Sequence, residues 1–134
     1  MTFNQKEYAK KYIKDRRKSD ADFAARQVFF ATRWQKRNPV RAALTTYKNR
    51  ARRSGREFSL SDAEFEALVR SDCVYCGAIP QPINGIDRVD NSLGYTKENS
   101  KPACKKCNKA KLDSSLDDFK AWIKQAAIHM ELFN

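Results

Sequence analysis

The chain has 134 residues, 41% of them hydrophobic, and a formal net charge of +11. That length suits one small domain, or a small domain with an extension, with a modest core. No apolar run is long enough for a signal peptide or a membrane span, so the expectation is a cytoplasmic protein with no membrane partner.

The charge is uneven. Residues 1–56 carry 17 Lys/Arg against 4 Asp/Glu, whereas residues 57–134 carry 10 against 12. A concentrated basic segment is the usual footprint of polyanion binding, nucleic acid above all. The plain alternative is a solvated helix face. We therefore divide the chain into a basic helical region, 1–57, and a nearly balanced region, 58–134.

Residues 4–18 read as a basic helix with Tyr8, Tyr12 and Ile13 on one side. Ser19-Asp20 breaks it and can cap the next helix. Residues 21–37 place Phe23, Phe30 and Trp34 on one face with Phe29 alongside. Intramolecular burial is the simplest account of these aromatics; stacking on bases or docking to a partner protein is the functional one. Pro39 ends that helix and suits the first turn of a third, 39–54, which Ser54-Gly55 stops. Its apolar stripe is Val40, Ala43, Leu44 and Tyr47. Its basic side, with Arg41, Lys48, Arg50, Arg52 and Arg53, continues to Arg56 and is the candidate phosphate-gripping surface.

Phe58-Ser59-Leu60 reads as a short extended piece. Ser61 and Glu64 form a capping box, with Phe65, Leu68 and Val69 behind it. Then come the four cysteines of the chain, Cys73 with Cys76 and Cys104 with Cys107, in two C-x-x-C knuckles 27 residues apart. This layout suits one tetrahedral zinc held by four thiolates. Two disulfides or free thiols are the alternative, and disulfides are rare in a reducing compartment.

Between the knuckles, Gly-Ile-Asp-Arg-Val alternates and reads as a strand carrying Asp87 to one face. Asp90, Asn91, Ser92 and Gly94 predict a turn, followed by Asn99. After Cys107 a helix begins with Asn108, Lys109 and Lys111. A last helix, about 115–132, is expected to bury Leu116, Phe119, Trp122, Ile123, Ala126 and Met130, with His129 near its end facing solvent.

The order Asp87-Arg88, Asn99, Cys104-x-x-Cys107-Asn108 and Lys111 resembles the HNH, or His-Me finger, nucleases. More narrowly, it is similar to the cysteine-framed phage and bacterial branch, which reads C-x-x-C-G, I-D-H/R, G-Y-T-x-E-N, C-x-x-C-N and K. The likeness covers residues 73–111 well, 58–125 loosely and the first fifty residues hardly at all. It implies an α+β fold: a zinc-braced ββα-metal core with a C-terminal helix, beside the basic helical N-terminal region.

The resemblance also implies a metal-dependent endonuclease or nickase acting on double-stranded DNA, in the host cytoplasm if phage-encoded. Asp87 and Asn108 would hold Mg2+ or Mn2+, and Asn99 would tie the loop to backbone. Lys109 and Lys111 would join the arginines in DNA binding. The family's first letter is usually a histidine acting as general base. Arg88 stands there, and a guanidinium cannot take a proton from water. It suits a phosphate clamp or transition-state charge instead, or a plain pairing with Asp87 or Asp90. Three routes stay open: Asp90 or Tyr95 accepts the proton or aligns the water, a metal-bound hydroxide or the substrate phosphate acts without a protein base, or the fold binds DNA without cutting it. The rivals are a zinc-containing DNA-binding module and a protein-binding or inhibitory protein using the basic aromatic helices.

Overall fold

A computed structural model describes residues 4–132. The chain divides after Asn38 into two units. The first holds α1 (Gln5–Ser19) and α2 (Ala21–Arg37). Local chemistry defines both helices. The Asn4 side chain accepts from the backbone N–H groups of Lys6 and Glu7. The Asp20 backbone N–H closes α1 on the Arg16 carbonyl at 2.9 Å, and its carboxylate caps α2 by accepting from the Phe23 N–H at 2.8 Å. Neither helix has a buried residue. Phe29, Phe30 and Trp34 are 59%, 61% and 46% exposed, so the intramolecular burial expected for the α2 aromatics is not found. Phe23 is half-buried, under the Arg16 guanidinium at 4.7 Å.

The second unit starts at Pro39 and contains α3 (Pro39–Arg53), α4 (Asp62–Val69), β1 (Gly85–Arg88), β2 (Ser100–Ala103), α5 (Lys105–Lys111) and α6 (Leu116–His129). The boundary therefore lies before α3, not at 57/58, because the apolar stripe of α3 belongs to this core. Leu44, Leu60, Phe65, Val69 and Ile86 form its buried centre, with Val40, Ala43, Tyr47, Phe58 and Tyr95 against it. Burying each large apolar side chain contributes roughly 1.5–3 kcal/mol. The Ser61–Glu64 capping box starts α4 and delivers Phe65 to that centre.

β1 and β2 pair antiparallel, Gly85 opposite Ala103 and Asp87 opposite Lys101. Alternation along β1 sends Ile86 into the α3–α4 core and turns Gly85 and Asp87 towards α5. Between the strands, Tyr95 exchanges backbone hydrogen bonds with Glu57 and Ser59. Gly94 allows this close approach, since a Cβ there would run into the Glu57 backbone.

α6 follows its Ser115 cap and buries Phe119 and Ala127. The Phe119 ring meets Tyr75 edge-on at 5.4 Å. Trp122, Ile123 and Met130, expected on the buried side, are exposed; Leu116 and Ala126 are half-buried. A helix docked by one aromatic covers a narrower stripe than its apolar sequence offers.

Candidate functional site

The two knuckles converge. All four cysteine Sγ atoms lie within 4.8 Å of one another, and Cys76 Sγ and Cys104 Sγ are 3.7 Å apart. A tetrahedral zinc with Zn–S near 2.3 Å sets its sulfurs about 3.8 Å apart, so the cage can hold one metal ion and the spacing fits zinc. The first knuckle closes through the Gly77 N–H on the Cys73 carbonyl at 2.8 Å, with Gly77 at φ +70°. The Val74 N–H donates to the Pro102 carbonyl and ties this knuckle to β2. The second knuckle is the start of α5, where Cys104 is the N-cap residue.

Burial opposes ionisation of the Cys73 thiol, but the backbone N–H groups of Cys104, Cys76 and Tyr75 outweigh it and hold the thiol down at about 7. Burial, together with the neighbouring sulfurs, pushes the Cys107 thiol up. The cage thus opposes thiolates to one another, a repulsion that a divalent cation removes.

The cage fixes β2 and α5, and through them the surroundings of Asp87. This carboxylate is 3% exposed. Oδ2 accepts the Tyr75 hydroxyl hydrogen at 2.5 Å and lies 3.2 Å from Lys111 Nζ. Lys111 Nζ is 3.4 Å from Oδ1 and donates to the Arg88 carbonyl at 3.1 Å. Lys111 is 0% exposed. Its ammonium is sealed inside, so its assignment to the DNA-gripping surface is corrected: its partner is Asp87. Burial, followed by donation to Asp87, raises the Tyr75 phenol above its ordinary range and keeps it a donor.

Asn108 lies one turn before Lys111 on α5. Its Nδ2 donates to the Ile86 carbonyl at 3.3 Å, and its Oδ1 accepts no hydrogen bond from the described residues. One carboxylate and one open amide oxygen flank the same strand, and they are the hard oxygen donors that Mg2+ or Mn2+ takes. In this structure the Asp87 charge is compensated by Lys111. The donor set fits such a cation.

Asn99 closes the intervening loop. Its Oδ1 accepts from the Asp90 N–H at 2.8 Å, and its Nδ2 donates to the Asp90 and Gly94 carbonyls, each at 2.9 Å. Arg88 braces the same loop, donating to the Asn91 carbonyl at 2.9 Å and the Leu93 carbonyl at 2.7 Å. Its guanidinium stands 5.4 Å from the Tyr95 ring centre. It forms no ion pair with Asp87 or Asp90 among the described residues. The Asp90 carboxylate is occupied by the Ser92 hydroxyl and N–H, which hold it below its ordinary value and make it a weak base.

Arg50, Arg53 and Arg56 line an open cleft of about 370 Å³ with Ala51, Ser54 and Tyr95. Arg41 and Arg52 are exposed, Arg52 donating to Asn49 Oδ1 at 3.0 Å. Lys48 is tied to Asp62 at 2.8 Å. Lys109 is exposed and shares a second cleft, of about 320 Å³, with Lys105, Asn108, Tyr47 and Gly85. Sequence reasoning missed Tyr75, Tyr47 and Asn84. Tyr47 accepts the Ile86 N–H at 2.8 Å, and Asn84 Nδ2 bonds the Ser71 and Ala78 carbonyls around the first knuckle. Their only prior signal was a polar atom on an otherwise apolar stretch.

The mixed architecture, a two-stranded sheet and helix around a cysteine cage, is an HNH-like α+β fold. It is similar to a solved structure of the rare-cutting HNH restriction endonuclease PacI, with a TM-score of 0.51 and 22% identity, covering 65% of this chain and 81% of that one. No family model matches the sequence. Over 74 residues the chain is 43% identical to an uncharacterized protein, R423, of Acanthamoeba polyphaga mimivirus. That segment is 54% of this chain and only 14% of the viral protein, so the chain spans a small part of the relative's length. No helix among the described residues is long and apolar enough to cross a membrane.

Proposed function

We propose that the protein is an HNH-type DNA endonuclease or nickase, with zinc in the four-cysteine cage. The observation that carries this reading is the placement of Asp87 and Asn108 on neighbouring faces of a ββα unit braced by that cage. The likeness to an HNH restriction endonuclease supports it at the level of fold. Asp87 and Asn108 Oδ1 would hold Mg2+ or Mn2+, which when bound would supply Lewis-acid stabilisation of negative charge on a phosphate.

The chain's own residues do the rest. Arg50, Arg53 and Arg56, with Arg41, Arg52 and Lys109, grip the duplex backbone and set register without reading bases. Asn99 and Arg88 hold the 89–99 loop in one shape, and the unused Arg88 donors face developing phosphate charge. Tyr95, which lines the arginine cleft, aligns the attacking water; Asp90 is too weak a base for the task.

The Lys111 ammonium on Asp87 favours one second reading, a DNA-binding module that does not cut. Asn108→Ala separates them. It removes the open oxygen and the 3.3 Å hydrogen bond to the Ile86 carbonyl, so a nuclease loses cleavage, keeps gel retardation and melts only slightly lower. Unchanged cleavage in that variant would remove Asn108 from the site.

A further inference from the structure

We infer that Lys111 is a resident cation on Asp87, and that a divalent metal must displace its ammonium to bind. The inference rests on the reading of Asp87 and Asn108 as cation ligands. Both oxygens of Asp87 lie within 3.4 Å of Lys111 Nζ, and the two residues are 3% and 0% exposed. A desolvated carboxylate with its charge already compensated offers little to a second cation. An ammonium and a divalent ion against the same two oxygens also repel each other.

The rest of the site is built for exchange. Tyr75, on a separate segment, hydrogen-bonds Asp87 Oδ2 and keeps the carboxylate aimed when the lysine leaves. Asn108 Oδ1 stands open one turn away. The four-carbon stem of Lys111 is flexible, so its head can leave Asp87 once the side chains packed on it shift. A phosphodiester at the site gives that ammonium another anionic partner, so metal and DNA load together. Without DNA, the ion pair keeps the core intact and the site shut.

The test uses zinc-loaded full chain and Mn2+ alone. Free Mn2+ is read by electron paramagnetic resonance and stability by thermal melting, for the parent, Lys111→Met, Lys111→Gln and Lys111→Arg. The neutral variants leave Asp87 buried without its ammonium and should melt below the parent. They should bind Mn2+ about tenfold tighter or more and regain melting temperature as it is added. Lys111→Arg should stay close to the parent. Lys111→Gln, which can still donate to Asp87, serves if Lys111→Met does not fold. Parent that binds Mn2+ as tightly as both neutral variants, with binding lost in Asp87→Asn, overturns the competition and leaves the nuclease reading standing. Mn2+ bound by none of the forms overturns the cation site itself and with it the metal-dependent reading.

Discussion

The two units of this chain hold their shape in different ways. Both α1 and α2 are capped, but neither buries a residue, and the largest aromatics of α2 face solvent. The unit from Pro39 onward has a buried centre around Phe65, a four-thiol cage and a sealed ion pair. Local helix signals shape the first; long-range contacts and a four-cysteine cage shape the second. Helix content and burial are separate properties in this chain. The cysteine cage and the proposed site both lie in the unit with the long-range contacts.

Zinc removal should break this contrast most visibly. Stripping the metal, or Cys107→Ser, should cost the second unit on the order of 10 kcal/mol, as for small zinc domains. Near-UV circular dichroism should collapse while α1–α2 amide exchange barely changes. Next in size is the ion pair. Asp87→Ala strands a buried ammonium and should cost about 3–5 kcal/mol in denaturant melts. Asp87→Asn keeps the shape and an acceptor for Tyr75 and should cost less.

A pH dependence sharpens the cage further. The Cys73 thiol is held at about 7 against an ordinary 9.0. A depressed thiol contributes stability that is present above its ordinary value and lost as pH falls through about 7. Zinc retention against a competing chelator should weaken as pH falls through that window, read on the folded, loaded protein. The smallest effects belong to the first unit. Asp20→Ala should cost α2 about 1 kcal/mol, read as faster exchange in its first turn, with no shift in the main melting transition. Trp34→Ser should move that transition by less than about 0.5 kcal/mol.

These differences track what a sequence can carry. The cage and ββα order were legible because C-x-x-C spacing, an alternating strand and a capped helix are local patterns. Pro39 and Gly55 likewise marked the ends of α3. Burial of Lys111 was not legible: a lysine beside exposed Lys109 looks like another phosphate contact until β1 folds against α5 and brings Asp87 to it. The same holds for Tyr75 and Tyr47, whose hydroxyls find Asp87 and Ile86 across 12 and 39 residues. For α2 and α6 the apolar faces were readable, but what covers them is a property of the assembled chain. Trp34 and Trp122 stayed exposed for that reason.

We propose a cation-dependent nuclease site on a frame braced by the cysteine cage. The most direct measurement is plasmid cleavage: zinc-loaded protein with supercoiled DNA and Mg2+, Mn2+ or EDTA, beside Asp87→Asn and Asn108→Ala. Nicking or linearisation should need added metal and be lost in both variants while each still retards DNA. Cutting that persists in EDTA or in Asp87→Asn, or DNA bound without any cutting by the parent, would contradict it.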